Sequence, residues 1–211
     1  MIKKLDQKGF TIVELLIATA VFASILFIVT YGIIQISKTF TNGFIQTQTQ
    51  NVAVSLSDQL TRDVEFSSAS SIGSDKGPVS VAGTNYYYFC TYQDEYFYTP
   101  GGSFYKIPIS AITNCGSPKS TWLTNSQTQS LLSNNMEILN NLPAYNDSTQ
   151  QSIITSGSTS GLYSINLDIL YGSTSNLVQN VNKSQWVCKP TVIIGPFCAT
   201  YTLTTGAYAQ D

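Results

Sequence analysis

The feature that most constrains this chain is a long apolar segment near its N-terminus. The 27 residues from Phe10 to Ile36 contain one charged side chain, that of Glu14. A helix of this length is about 40 Å long, whereas the hydrocarbon core of a bilayer is only ~30 Å thick. The segment therefore predicts a membrane-spanning helix. An ionised carboxylate is costly in hydrocarbon, so Glu14 is expected to have a partner.

Basic residues in front of the apolar segment predict its orientation. Lys3, Lys4 and Lys8 precede it, and basic flanks remain on the cytoplasmic side of a membrane. The rest of the chain is then expected outside. A secretory signal peptide has an apolar region of only about 7–15 residues with a small-residue cleavage site behind it, which does not fit. An ordinary signal anchor fits the length but leaves Glu14 unexplained.

Composition argues against several classes of function. Charged residues make up 10% of the chain, the net charge is −2, and a basic nucleic-acid surface needs clustered Lys and Arg. The chain has no histidine, so Ser-His-Asp and Cys-His catalytic arrangements cannot form. We predict no catalytic residue, no cofactor and no metal site. Hydrophobic residues make up 43%, which is enough for a folded core.

Four cysteines, Cys90, Cys115, Cys188 and Cys198, lie in the C-terminal two thirds of the chain. An even number in a polar, tyrosine-rich segment favours two disulfides and hence an oxidising compartment. Three connectivities are possible. We favour Cys90–Cys115 with Cys188–Cys198, because a Gly-Pro pair can turn the short loop between the last two. Four free buried thiols are the alternative.

Helical spacing continues beyond the apolar segment. Apolar residues recur every four positions and predict one packing stripe: Phe40, Phe44, Val52, Leu56, Leu60 and Val64. No proline occurs between residues 1 and 77. We therefore predict one helix from Phe10 to about Glu65, with an apolar first half and an amphipathic second half that packs under a globular domain.

The remainder of the chain has the pattern of strands and turns. Residues 84–110 are aromatic, with a turn signal at Pro100-Gly101-Gly102 between two strand-like runs, and residues 161–172 alternate with period two. Residues 191–205 predict the last strands. For residues 131–146 a strand over Met136–Leu142 is favoured over a short helix. The predicted fold class is α+β, a long N-terminal helix packed on an antiparallel sheet.

Two other features of the globular part have a structural and a functional interpretation. Asp94-Glu95 could contribute to a calcium site, which needs several oxygen ligands, but a solvated acidic turn is favoured. The many tyrosines could stack on sugars or on nucleic-acid bases. Strand cores explain them as well, so glycan or nucleic-acid binding stays open.

The stretch Lys8-Gly9-Phe10-Thr11-Ile12-Val13-Glu14 resembles the type III prepilin leader of the type IV pilins and pseudopilins. The resemblance implies the pilin fold. It also implies that a membrane peptidase cuts between Gly9 and Phe10 and methylates the new amine of Phe10. Glu14 would then pair with the N-terminal amine of a neighbouring subunit as it joins the filament. The chain is accordingly divided into a leader (1–9), a transmembrane and filament-core half-helix (10–36), an amphipathic half-helix (37–66) and a β-rich domain (67–211).

The resemblance also implies partners and a location. The partners are major and minor pilin subunits, a prepilin peptidase, an inner-membrane assembly platform and, before assembly, membrane lipid. The location is the cytoplasmic membrane, single-pass, and later a cell-surface filament or a periplasmic pseudopilus. The stretch "CKPTVIIGPFCATYTL" resembles the end of minor pilins of the J-type or W-type pseudopilin-like kind.

Three functions remain open on the sequence. The first is a non-enzymatic minor pilin of a type IV pilus. The second is a pseudopilin of a type II secretion or DNA-uptake apparatus. The third, from another class, is a signal-anchored extracellular adhesin or enzyme that does not polymerise.

Overall fold

The structure is a computed structural model that describes residues 11–73, 75–111, 115–142, 152–157, 161–180, 185–189 and 197–210. Two compact units are present, Met1–Gly43 and Phe44–Asp211. The second contains the C-terminal part of a long helix packed against antiparallel sheets. The predicted α+β class is confirmed.

A single helix, α1, runs from Ile12 to Glu65 and has 54 residues. It contains no proline, so its backbone hydrogen bonds continue through the change from apolar to mixed composition. The helix ends where Phe66 donates a backbone hydrogen bond to Arg62 and Ser67 donates one to Val64, at 2.9 and 3.0 Å. The predicted end near Glu65 is therefore observed, and Phe10 lies outside the described residues.

The helix face that packs on the sheets differs in part from the predicted stripe. Its buried residues are Ile45, Thr49, Ala53, Leu56, Ser57, Leu60 and Val64. Phe40 and Phe44 are 76% and 61% exposed, so their inclusion in the stripe was wrong. A strict spacing of four residues advances about 40° per step around a helix with 3.6 residues per turn. Over the four to six steps that separate them, the two phenylalanines rotate away from the face that Leu60 and Val64 occupy.

This difference can be measured with two matched substitutions. Leu60 is 2% exposed, so Leu60→Ala should reduce the free energy of unfolding by about 2–5 kcal/mol. Phe44→Ala should change it by less than about 0.5 kcal/mol. The measurement is urea unfolding of a fragment covering residues 37–211. Equal reductions in the free energy of unfolding for the two variants would contradict the observed packing face.

The first sheet has five antiparallel strands in sequential order. They are β1 (Lys76–Val81), β2 (Thr84–Cys90), β3 (Asp94–Tyr98), β4 (Phe104–Pro108) and β5 (Gln129–Ser130). Between β4 and β5 lie a 3₁₀ turn (Ile109–Ala111) and a one-turn helix, α2 (Ser120–Leu123). The aromatic region 84–110 thus forms three strands, because the run before Pro100 is itself folded into a hairpin.

The second sheet is also antiparallel and is built around the long strand β8 (Leu162–Tyr171). One edge of β8 pairs with β11 (Ala199–Tyr208), and the other pairs with β6 (Met136–Ile138) and β7 (Ile154–Ser156). A separate hairpin contains β9 (Leu177–Asn180) and β10 (Gln185–Cys188) and follows a 3₁₀ turn at Thr174–Asn176. The strand predicted over 161–172 is present. The strand predicted over Met136–Leu142 is shorter than expected.

The main core lies between the C-terminal part of α1 and the two sheets. The helix contributes Ala53, Leu56, Leu60 and Val64. The sheets contribute aromatic and aliphatic side chains that include Phe89, Tyr96, Tyr98, Phe104, Ile138, Ile165, Leu167 and Ile169. The turn after β3 also joins the sheets, since Gly101 N donates to Ile138 O at 2.7 Å and Ile138 N donates to Gly102 O at 2.8 Å.

Candidate functional site

Thr11 and Glu14 form a reciprocal hydrogen-bonded pair at the start of α1. The backbone N–H and the hydroxyl of Thr11 both donate to Glu14 Oε2 at 2.9 Å, and the backbone N–H of Glu14 donates to Thr11 Oγ1 at 3.3 Å. This arrangement is a capping box, in which each side chain satisfies a backbone donor of the first helical turn. The Thr-x-x-Glu spacing is the sequence signal for this motif, and the predictions from sequence did not include it.

The cap gives Glu14 a defined geometry but no opposite charge. Both groups that it contacts are neutral donors of Thr11. The carboxylate lies in the first turn, near the partial positive charge of the helix N-terminus. Gly9 and Phe10, the predicted cleavage and methylation residues, lie outside the described residues. The side chain of Glu14 is exposed in the isolated chain, so its second oxygen, Oε1, can accept a donor from another molecule.

The N-terminal part of α1 has an apolar surface that no described residue of the chain covers. It is the one helix among the described residues that is long and apolar enough to cross a membrane. Its large apolar side chains are between 47% and 80% exposed as far as Ile36. Such a surface is stable only in lipid or against other apolar helices. This part of the helix therefore has to be covered from outside the chain.

The structure joins the four cysteines in two disulfides. Cys90 bonds to Cys115 with a Cα–Cα distance of 6.1 Å, and Cys188 bonds to Cys198 with 5.8 Å. The first bond attaches the segment after β4 to β2. The second links β10 to the residue before β11. Cys90, Cys115 and Glu95 also form the one cluster of possible metal ligands among the described residues, but the bonded sulfurs are not thiolates and do not offer metal ligands.

The acidic pair Asp94-Glu95 is not the solvated turn that the sequence predicted. Both residues belong to β3 and are buried, at 8% and 0% exposed. Strand β3 lies in the middle of the five-stranded sheet, so neighbouring strands flank it on both edges. Asp94 forms an ion pair with Lys106 at 2.7 Å, whereas Glu95 forms no ion pair among the described residues.

Lys106 connects the sheet to the helix through a charged network. Its ammonium lies 3.2 Å from Asp63 of α1 and 2.7 Å from Asp94 of β3. The hydroxyl of Tyr96 also donates to Asp63. A cleft beside the network is lined by Asp94, Lys106, Pro108, Ser126, Gln127 and Gln129. The charged groups there already have partners, and they fix the register of the helix on the sheet.

Asp75 is a second buried carboxyl that the sequence analysis did not identify. It accepts hydrogen bonds from Tyr98 Oη at 2.5 Å, Ile153 N at 2.8 Å, and Ile154 N and Asn141 Nδ2 at 3.4 Å. Burial raises its pKa to about 6, although the hydrogen bonds oppose the shift. One carboxyl thus joins the loop before β1 to β3, to the segment after β6 and to the start of β7.

Of the seven tyrosines between residues 86 and 105, three belong to the core, three are half-buried and one is exposed. Tyr86, Tyr96 and Tyr98 are at most 8% exposed. Their rings pack on other aromatic rings, as in the stacked Phe89–Tyr96 pair at 5.0 Å. Tyr92 and Tyr208 are exposed, at 64% and 53%, but they stand singly. The strand-core interpretation is therefore supported for Tyr86, Tyr96 and Tyr98.

A comparison with protein-family models matches residues 4–30 to the prokaryotic N-terminal methylation motif. No curated protein and no solved structure matches the chain. The match includes the basic flank, the Gly9-Phe10 junction, Glu14 and most of the apolar helix. The chain therefore carries a prepilin leader of the type IV pilin and pseudopilin kind.

The leader indicates how the chain is processed and where it is anchored. It implies processing by a prepilin peptidase and assembly with other pilin subunits. Together with the apolar helix, it fits membrane anchoring before assembly. The motif suggests a structural role of the pilin or pseudopilin kind.

Proposed function

We propose that the chain is a minor pilin, a structural and non-enzymatic subunit of an extracellular type IV pilus. The observation that carries the proposal is the methylation motif at the start of a 54-residue helix whose apolar surface the chain leaves uncovered. Lipid covers that surface before assembly, and the helices of other subunits cover it in the filament. The minor role rests on the resemblance of the C-terminal stretch to the J-type and W-type kind.

The residues at the leader have assigned roles in this proposal. The peptidase cuts between Gly9 and Phe10 and methylates the amine of Phe10, which leaves residues 10–36 as the membrane and filament-core half-helix. Residues 37–66 form the amphipathic half-helix and 67–211 the domain. Glu14 then faces the cationic amine of a neighbouring subunit, and the two opposite charges stabilise each other where water is scarce.

The decisive experiment is mass spectrometry of the protein isolated from its native membrane. We expect a chain that begins at N-methylated Phe10, nine residues shorter than the full sequence. A matched variant, Gly9→Leu, should keep residues 1–9, because the bulky side chain occupies the cleavage position. A wild-type protein that keeps residues 1–9 would indicate a signal-anchored adhesin or enzyme and would reject the proposal.

Fractionation distinguishes the pilus from the pseudopilus. The processed protein should appear in filaments sheared from the cell surface, at low abundance relative to a major subunit. A pseudopilin of a type II secretion or DNA-uptake apparatus would remain with the cell envelope under the same shear. Recovery in the envelope alone would therefore contradict the pilus assignment and leave the pilin-like assignment intact.

A further inference from the structure

Glu95 lies directly beside the Cys90–Cys115 disulfide. Glu95 and Cys90 are opposite each other in the β2–β3 ladder, where facing side chains have Cβ atoms about 5 Å apart. Glu95 Oε2 accepts a hydrogen bond at 3.1 Å from the backbone N–H of Gly116, the residue after Cys115. A carboxyl oxygen and the two sulfurs all lie within 4.8 Å of one another.

The packing does not explain why the other carboxyl oxygen of Glu95 is buried without a hydrogen-bond partner in the described part of the chain. Glu95 is 0% exposed, and its Oε1 is buried without a hydrogen-bond partner among the described residues. Its partner on the other edge of β3 is Ile107, which is also fully buried. Buried polar atoms in native proteins nearly always have a partner, so an exception requires a reason. Here the reactive group within reach is the disulfide.

The two sulfurs of this disulfide differ in access. Cys90 is 2% exposed, whereas Cys115 is an exposed residue. An external thiol or disulfide therefore has easier access to Cys115 than to Cys90. Thiol–disulfide exchange proceeds by attack of a thiolate on a sulfur, with departure of the second sulfur as a thiolate. In this arrangement the departing sulfur is the buried one, next to Glu95.

We propose that Glu95 transfers the proton in thiol–disulfide exchange at Cys90–Cys115, and that Cys115 is the sulfur that exchanges with an external thiol or disulfide. In the reductive direction, an external thiolate bonds to Cys115 Sγ and the Cys90–Cys115 bond breaks. The electron pair stays on Cys90 Sγ, which takes the proton of the Glu95 carboxylic acid. The products are a mixed disulfide at Cys115, a thiol at Cys90 and a carboxylate at Glu95.

The oxidative direction closes the disulfide during maturation. The carboxylate of Glu95 takes the proton of the Cys90 thiol. The transfer is either direct, once the cysteine side chain has rotated, or passes through one water. The Cys90 thiolate then attacks Cys115 in its mixed disulfide with an external oxidant of the disulfide class. The external sulfur leaves as a thiolate, and the Cys90–Cys115 bond forms without any other oxidant.

The acidity of Glu95 suits this role. Burial raises its pKa to about 8, while the Gly116 hydrogen bond and the charge of Lys76 in β1 oppose the shift. A thiol has an ordinary pKa of about 8.5, and burial disfavours a thiolate, so the buried thiolate of Cys90 readily takes a proton from the Glu95 acid. Efficient proton donors have a pKa close to the working pH. At neutral pH, Glu95 is a carboxylic acid and can supply its proton.

The second disulfide provides a control within the same molecule. In the described part of the chain, no carboxyl forms such a cluster with Cys188 and Cys198. The test follows the reduction of both disulfides of the full chain in detergent by dithiothreitol, between pH 6.5 and 9. Alkylation quenches the reaction, and peptide mapping gives a rate constant for each disulfide. Each value is divided by the concentration of the dithiothreitol thiolate.

For Cys90–Cys115 in the wild type, we expect this rate constant to fall up to about tenfold between pH 6.5 and pH 9, because Glu95 loses its proton. The corresponding rate constant for Cys188–Cys198 should not change with pH. In Glu95→Gln, the Cys90–Cys115 profile should be flat and about tenfold or more below the wild type at pH 6.5. A flat wild-type profile, or the same profile in Glu95→Gln, would overturn the proposal.

The site of first attack provides a measurement on the wild-type protein that does not depend on the variant folding. Brief exposure to a monothiol, followed by acid quenching, traps the mixed disulfide. Peptide mapping should find the added group on Cys115. Its presence on Cys90 would overturn the proposal, in which Cys115 exchanges with the external thiol and Cys90 takes the proton.

Discussion

Glu14→Ala is expected to remove the protein from sheared filaments while leaving its amount in the membrane unchanged. The substitution takes a costly charge out of the apolar segment, so insertion does not suffer. It also leaves the amine of a neighbouring subunit without its partner. Breaking one side of a buried ion pair costs ~3–5 kcal/mol, which is more than 100-fold in each subunit–subunit equilibrium.

The capping box requires a control that separates its loss from loss of the charge. Glu14→Gln keeps an oxygen that can accept from Thr11 and removes only the charge, since glutamine also completes a capping box. Thr11→Ala keeps the charge of Glu14 and removes the hydroxyl that contacts it, at about 1 kcal/mol for a lost N-cap. Charge pairing predicts that Glu14→Gln fails to assemble and that Thr11→Ala assembles.

The measurement is quantitative mass spectrometry of sheared filaments against the membrane fraction, for all three variants. Assembly of Glu14→Gln at wild-type abundance would show that Glu14 acts through the cap and would reject the pairing account. Loss of the Thr11→Ala protein from filaments would give the hydroxyl an assembly role of its own. The Phe10 methylation state should be checked in each variant, so that failed processing is not mistaken for failed assembly.

The long helix was predictable because its signals are local. An apolar run with one charge and no proline up to residue 77 permits one continuous helix, and the structure shows it from Ile12 to Glu65. The packing face was less predictable. Residues spaced at intervals of four rotate gradually around the helix axis and away from the packing face. Phe40 and Phe44 were therefore misplaced, whereas Leu56 and Leu60 were not.

The hairpin inside the aromatic region shows why one strand boundary was missed. The turn between β2 and β3 contains neither glycine nor proline. It is formed by Thr91, whose backbone N–H donates to Asp94 O at 2.8 Å and whose hydroxyl accepts from Asp94 N at 3.2 Å. Side-chain turns of this kind give a weaker sequence signal than Gly-Pro turns. A continuous aromatic run therefore concealed two strands.

The buried carboxyls could not be predicted from their immediate neighbours. Glu95 is buried because β2 and β4 flank it and because the disulfide segment covers its face of the sheet. Asp75 is buried because donors from three distant parts of the chain converge on it. Tertiary contacts determine both environments, whereas the sequence shows only that each residue is acidic.

Because both buried carboxyls have raised pKa values, we expect the domain to lose stability as pH rises. The folded-state pKa is about 6 for Asp75 and about 8 for Glu95, because burial disfavours the charged forms. The ordinary values are 3.8 and 4.5. At a pH between the ordinary pKa and the folded-state pKa of each carboxyl, the folded state therefore binds more protons than the unfolded chain. Stability is greatest at low pH in this range and is lost through pH 6 for Asp75 and through pH 8 for Glu95.

Glu95→Gln should remove the upper part of this pH dependence. Deprotonation of Glu95 removes roughly 3–5 kcal/mol between pH 4.5 and pH 9, at ~1.4 kcal/mol for each unit of pKa difference and with allowance for solvent screening. The variant keeps an oxygen for the Gly116 hydrogen bond but does not ionise. For a domain of this size, ~1 kcal/mol corresponds to a change of ~2–4 °C in Tm. At pH 9, the variant should therefore melt roughly 6 °C or more above the wild type, while the two should be similar at pH 5.

The comparison is made by calorimetry of the 37–211 fragment, with its disulfides intact, from pH 4.5 to pH 9. Glu65→Gln is the matched control, because Glu65 is an exposed carboxylate of α1 and its removal should leave the wild-type profile unchanged. Asp75 still titrates in Glu95→Gln, so the variant should retain a fall in Tm up to about pH 6 and then remain level. A wild-type Tm that is constant or rises between pH 6 and pH 9 would show that Glu95 ionises normally, since an unshifted carboxyl gives no pH dependence there.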